Sequence, residues 1–203
     1  MSIGRPLPTE MPTSTVSHGA GPISVLPRAE RQDIDGLTFK VLGSDDSMTW
    51  AQSLGANYTD GIVVLHQGRV VYERYFGVLK PAGQHIAMSV TKSFFGTIGA
   101  MLVAQGVLDE NAPASKYVPE LKDSAFGDAT VRQLLDMTTG LQYSEDYADP
   151  KAEIWSHLRA GSVLPRPPGY DGPKSFYAFL QTVKKEGEHG KGFAYKTVNT
   201  DAL

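Results

Sequence analysis

The sequence predicts a mixed α/β (α+β) fold, and three observations carry that assignment. Residues 61–77, GIVVLHQGRVVYERYFG, read as a β-hairpin. Residues 89–105 read as a strongly apolar helix. The chain has 203 residues, 41% hydrophobic and 20% charged, which is ordinary single-domain size with room for a core.

In chain order, residues 1–35 are rich in Pro, Ser, Thr and Gly and read as an irregular arm. In the hairpin, Ile62-Val63-Val64-Leu65 is a β-rich run, Gln67-Gly68 the turn, and Val70-Val71-Tyr72 the start of the return strand. Glu73 and Arg74 then mark a face that reaches water. From Ser89, the apolar positions Phe94, Phe95, Ile98, Met101 and Leu102 follow a 3.6-residue period, and Gly106 supplies the stop. This helix is apolar over more than half its circumference, which predicts a central, buried position. Residues 109–121 are turn-rich. A second helix is expected over 130–137, ended by Thr138-Thr139-Gly140. Residues 150–159 form a weaker helical pattern, and 164–173 (LPRPPGYDGP) read as an exposed loop. Residues 175–185 read as a helix with Phe176, Phe179, Leu180 and Val183 on one face. A flexible turn is expected over 187–192, and 199–203 reads as the first turn of another helix.

Composition narrows the function classes. With 19 basic and 22 acidic side chains interspersed, there is no basic stripe to follow a phosphate backbone, so nucleic acid is not an expected partner. The absence of cysteine removes thiol nucleophiles, disulfides and Cys-type zinc sites. Histidines 18, 66, 85, 157 and 189 include no pair at helix-ligand spacing, so no metal is expected. The longest nearly apolar stretch, 94–104, is about half of a membrane span. The N-terminus has no apolar h-region, which points to a cytoplasmic address.

Among motifs that carry chemistry, no G-x-S-x-G elbow is present. Gly187-Glu188-His189-Gly190-Lys191 lacks the spacing and the hydroxyl residue of a phosphate loop. What remains is Ser89-Val90-Thr91-Lys92, an S-x-x-K. On a helix, positions i and i+3 share a face, so hydroxyl and amine can touch. A serine at a helix start also has its N–H directed outward, where it can donate to a developing oxyanion. The tetrapeptide arises by chance about once in a chain this size, and the bland alternative makes Ser89 an N-cap and Lys92 a solvated residue. Against it stands electrostatics: a first-turn cation opposes the helix dipole, at the start of the most apolar helix in the chain. The second element is Tyr195-Lys196-Thr197-Val198-Asn199. Tyr195 reads either as a phenolic acid/base or as a half-buried strand-end residue, and Asn199 as the cap of the next helix.

Four stretches carry a family resemblance: GIVVLHQGRVVYERYFG, MSVTKSFFGTIGAMLVAQGVLDENAPASKYVPEL, ATVRQLLDMTTGLQYSEDY and FAYKTVNTDAL. Taken in order over most of 61–203, they resemble the serine β-lactamase-like superfamily, and within it the 6-aminohexanoate-dimer hydrolases. The resemblance implies a serine β-lactamase/D-peptidase-like fold, with helices packed on a mainly antiparallel sheet. It implies Ser89 as the acylated nucleophile, Lys92 as its proton acceptor and Tyr195 as acid/base toward the leaving amine. Asn199, a candidate substrate contact, would lie with Thr197 in the segment that follows the tyrosine. Y-K-T-V-N resembles the family's Y-x-S-x-N form, which favours linear-amide hydrolases over true β-lactamases. Tyr170, in a Gly-Tyr-Asp-Gly loop, is a further candidate substrate contact. The implied partner is a small-molecule amide or ester, with no cofactor and no membrane. The family's third motif has no counterpart here, so 36–203 is expected to be the N-terminal portion of a catalytic domain, truncated at its C-terminal strands. It should have exposed apolar surface and little or no activity by itself. The competing class is a non-catalytic ligand-binding homologue on the same scaffold.

Overall fold

The structure, a computed structural model, describes residues 16–17 and 19–203, so the greater part of the arm's first half lies outside the described residues. The chain divides into two compact units, the first ending at Ile86 and the second running from Ala87 to Leu203.

In the first unit, β1 (Thr38–Lys40) and β2 (Ser47–Thr49) form an antiparallel ladder. Helix α1 (Trp50–Ala56) follows directly, opened by a Thr49/Gln52 capping box. The two strands were not legible in the sequence, because three residues are too few to show a period. The expected hairpin is present as β3 (Gly61–His66) and β4 (Arg69–Tyr75). Gln67 (φ 48°) and Gly68 (φ 73°) both take left-handed conformations, as the tight turns favoured by twisted strands require. Val70 and Tyr72 alternate into the interior, and Tyr72 packs edge-on to Trp50 at 6.3 Å. Part of the arm docks on β4: Val70 N–H donates to Pro27, and Ala29 and Arg31 N–H donate to Val70 and Val71.

The second unit opens with α2 (Val90–Ala104), closed by Gly106 at φ 73° as the sequence predicted. Its burial differs from expectation. Only Gly99 is buried, while Phe94, Phe95, Ile98 and Met101 are 66%, 55%, 52% and 54% exposed. One stripe packs, with the Gly99 position pressed against Leu135 and Leu203. Periodicity reports how much of a helix is apolar, and only tertiary packing supplies a partner for each face.

Two 3₁₀ turns, at 114–116 and 119–121, occupy the turn-rich stretch. Helix α3 (Val131–Leu135) starts at a Thr130/Gln133 capping box. The left-handed residue just beyond it is Met137 (φ 51°), not Gly140. Gly140 answers a different need: a Cβ there would meet the Gly187 carbonyl oxygen at 2.4 Å. Strand β5 (Leu141–Gln142), α4 (Glu153–Ala160) and α5 (Phe176–Leu180) follow. The helix expected over 175–185 stops at Leu180, and Lys184–Lys185 becomes β6, antiparallel to β5. Backbone pairing with β5 overrides the helical spacing of Val183. Helix α6 (Val198–Asp201) ends the order. The core gathers Leu121, Phe126, Leu134, Leu141, Ile154, Phe179 and Val198. Among the described residues every strand ladder is antiparallel and two-stranded.

Candidate active site

Ser89 caps α2 by position but not by side chain, because its hydroxyl accepts from no helix N–H. Instead Lys92 Nζ donates to Ser89 Oγ at 2.9 Å. The bland reading of Ser89 as an N-cap side chain is therefore not what the geometry shows. The N–H groups of Val90, Thr91 and Lys92 are taken by the carbonyls of Ala87, Met88 and Ser89. The Ser89 N–H has no protein acceptor among the described residues. Met88, just before the serine, sits at φ 44°, a conformation that costs a side-chain-bearing residue about 1 kcal/mol or more.

Tyr195 arrives from the other end of the second unit. Lys92 Nζ lies 5.5 Å from its ring centroid, within cation–π range, and the residue is 45% exposed. Ser89, Lys92 and Tyr195 are thus brought together, with the Lys92 amine in reach of both the hydroxyl and the ring. Lys92 is half-buried rather than sealed in an apolar setting.

The other two candidates lie differently. Asn199 is fully buried, its Oδ1 accepting from Thr139 Oγ1 at 2.5 Å and its Nδ2 without a partner among the described residues. Tyr170 donates to the Pro173 carbonyl at 3.0 Å, folding its loop back on itself. Arg166 ties the same loop down, donating to the carbonyls of Arg159, Ala160 and Lys174 and to Ser162 Oγ. The loop is fastened to α4, and no bond links Tyr170 to Ser89 or Lys92.

The segment bearing Tyr195 is held by a set of polar contacts. Lys196 Nζ donates to the Leu141 carbonyl at 2.5 Å, and burial lowers the pKa of its ammonium from the ordinary lysine value. Thr197 donates its N–H and its hydroxyl to the two oxygens of Glu145, at 2.5 and 2.7 Å. His157, almost wholly buried, has Nδ1 3.0 Å from the Tyr143 hydroxyl, and its Nε2 lies 2.8 Å from Asp201, too far out of line for a good hydrogen bond. Burial raises the Tyr143 phenol well above its ordinary pKa. Upstream, His189, whose side chain is 4% exposed, accepts from Gly140 N–H at Nδ1 and faces Asp128 with Nε2, pinning the turn expected to be flexible. Glu145 carries no signal in the sequence, and His157 and His189 enter there only as histidines without metal-ligand spacing. Glu145 and Thr197 are 52 positions apart, and a lone loop glutamate carries no local signal.

A groove of about 1040 Å³ in the first unit, lined by Leu54, Tyr58, Asp60, Tyr75, Phe76 and His85, brings no serine–lysine pair with it. No three His, Asp or Glu side chains cluster as metal ligands among the described residues, and none of their helices is long and apolar enough to cross a membrane.

Residues 50–203, including Ser89, Lys92 and Tyr195, match the profile of the β-lactamase family. The chain belongs to the β-lactamase family. A 6-aminohexanoate-dimer hydrolase of Paenarthrobacter ureafaciens is 38% identical over 152 residues, which is 75% of this chain and 38% of the relative. A β-lactamase of Yersinia enterocolitica is 26% identical over 154 residues, or 74% of this chain and 34% of that one. Among solved structures, a candidate 6-aminohexanoate-dimer hydrolase of Bacillus anthracis superposes with a TM-score of 0.77 at 33% identity, covering 89% of this chain and 47% of its own. The chain therefore spans less than half the length of these β-lactamase-family relatives.

Proposed function

We propose that the protein is a serine hydrolase that cleaves small linear amides or esters through an acyl-enzyme on Ser89. The observation that carries this reading is the 2.9 Å contact of Ser89 Oγ with Lys92 Nζ at the start of α2, with the Tyr195 ring centroid 5.5 Å from the same amine. Likeness to 6-aminohexanoate-dimer hydrolases in sequence and in structure supports the linear-amide preference.

In its amine form, Lys92 takes the Ser89 proton as Oγ bonds to the substrate carbonyl carbon. The carbonyl π electrons move to oxygen, and the Ser89 N–H is available to donate to that oxyanion. Collapse expels the amine or alkoxide, which takes a proton from Tyr195, and the Lys92 ammonium returns one to the phenolate. Water then attacks the ester under the same base and releases the acid and free Ser89.

Labelling of the full-length protein with a fluorophosphonate tests the nucleophile. Ser89→Ala should abolish labelling, and undiminished labelling would overturn the assignment. Lys92→Ala should slow acylation by about 10²-fold or more if the amine is the base. A panel of short ω-amino-acid oligomers, p-nitrophenyl esters and nitrocefin separates a linear-amide hydrolase from an esterase or a β-lactamase, which the relationship to the Yersinia enzyme keeps as the second reading.

A further inference from the structure

Tyr195 has no side-chain hydrogen bond to the protein among the described residues, yet its ring stands over Lys92. Its place is therefore set by its backbone, which is tied down by the Ala194 N–H on the Met137 carbonyl, by Lys196 Nζ on the Leu141 carbonyl and, at the start of α6, by Thr197. Thr197 does not cap α6 with its own hydroxyl. Both its donors go to Glu145, so one carboxylate fixes the backbone and the χ1 rotamer of the residue two positions after the tyrosine. Glu145 is itself on a rigid rail. Leu141–Gln142 pairs with β6, Tyr143 is buried against His157, and Ser144 exchanges bonds with Glu153 and Ile154 at the start of α4.

We infer that Glu145 is a positioning residue that holds Tyr195 over Lys92 through the N–H and hydroxyl of Thr197. The inference rests on the hydrolase reading for its kinetic consequence, while the clasp itself stands on geometry. The role is geometric rather than electrostatic. A carboxamide at this position can accept from the Thr197 N–H and donate to its hydroxyl oxygen, whereas a methyl group can do neither.

Steady-state kinetics and amide NMR on the full-length protein test it. Glu145→Ala should lower kcat by about 10- to 100-fold with KM within about threefold, the scale expected when a reacting group is displaced by about 1 Å. Glu145→Gln should restore most of kcat. The Thr197 amide proton, shifted downfield by its charged acceptor, should move upfield in Glu145→Ala. Should Glu145→Ala fail to fold, Thr197→Val removes the hydroxyl alone and should also depress kcat selectively, with Thr197→Ser recovering it. A kcat unchanged in Glu145→Ala or Thr197→Val, or a loss confined to KM, overturns the inference. So does Glu145→Gln as damaged as Glu145→Ala, which would mean that charge matters and geometry does not. Turnover that survives Ser89→Ala would sink the hydrolase reading instead, and the Thr197 amide shift would then judge the clasp independently.

Discussion

Replacing Thr139 by valine removes one hydroxyl from the interior of the second unit and keeps the side chain's shape. That hydroxyl donates to Asn199 Oδ1, and the two residues are 3% and 0% exposed. Asn199 Nδ2 already lacks a partner, so Thr139→Val orphans the whole amide in a site that water does not reach. A buried polar group left unpaired costs about 1–3 kcal/mol. The penalty belongs to the stranded amide, since valine fills the same volume, so adding Asn199→Leu in the Thr139→Val background should recover about 1 kcal/mol or more. Urea unfolding in a Trp50→Phe background leaves Trp155, on α4, as the sole tryptophan reporter of the second unit. A loss of about 2 kcal/mol moves the midpoint by about 1 M for a typical urea slope. A midpoint within about 0.2 M of the parent, or a double variant no more stable than Thr139→Val, would refute the view that this bond is the one that satisfies the Asn199 amide oxygen.

Other substitutions follow the same logic. Gly140→Ala should cost about 1–3 kcal/mol or more in unfolding free energy, because its Cβ would meet the Gly187 carbonyl, and backbone atoms yield less than side-chain tips. Phe126→Ala, at 0% exposure, should cost about 3–5 kcal/mol, whereas Phe94→Ser on the open face of α2 should stay within about 0.5 kcal/mol by the same assay. The Lys185 hydrogen bond, and after it His189, hold the Asp128 carboxyl below its ordinary 3.8 against an opposing burial effect. The unfolded chain therefore binds the proton first, and this contribution is complete well above 3.8 and disappears as pH falls through the folded value. Asp128→Asn should flatten the acid limb of urea midpoints measured between about pH 2.5 and pH 6, by less than about 1 kcal/mol since the carboxylate is largely exposed.

The elements legible in the sequence were those whose cause is local. The hairpin turn follows from Gln67-Gly68, and the end of α2 from Gly106. The Ser89–Lys92 contact follows from helix geometry once the helix start is known. The failures have an equally definite cause. Residues 181–185 carry a helical period, yet Lys184 and Lys185 gain ladder bonds to β5 that no local pattern announces. The apolar face of α2 was read as buried because apolar residues are usually covered, and exposure depends on what packs there. Glu145 was passed over because an isolated loop carboxylate looks like any solvated charge until Thr197 is brought to it.

The sequence by itself determined the α/β character, the family and a helix that opens on a serine with a lysine one turn on, since propensity, turn chemistry and side-chain spacing all act within a few residues. Only the tertiary structure decided that Tyr195 stands over that lysine, that Asn199 is sealed against Thr139, and that Glu145 grips the strand of chain between them. Those contacts join residues that touch only after the core around Leu141 and Val198 has closed, and the free energy that selects them comes from burial rather than from any local preference.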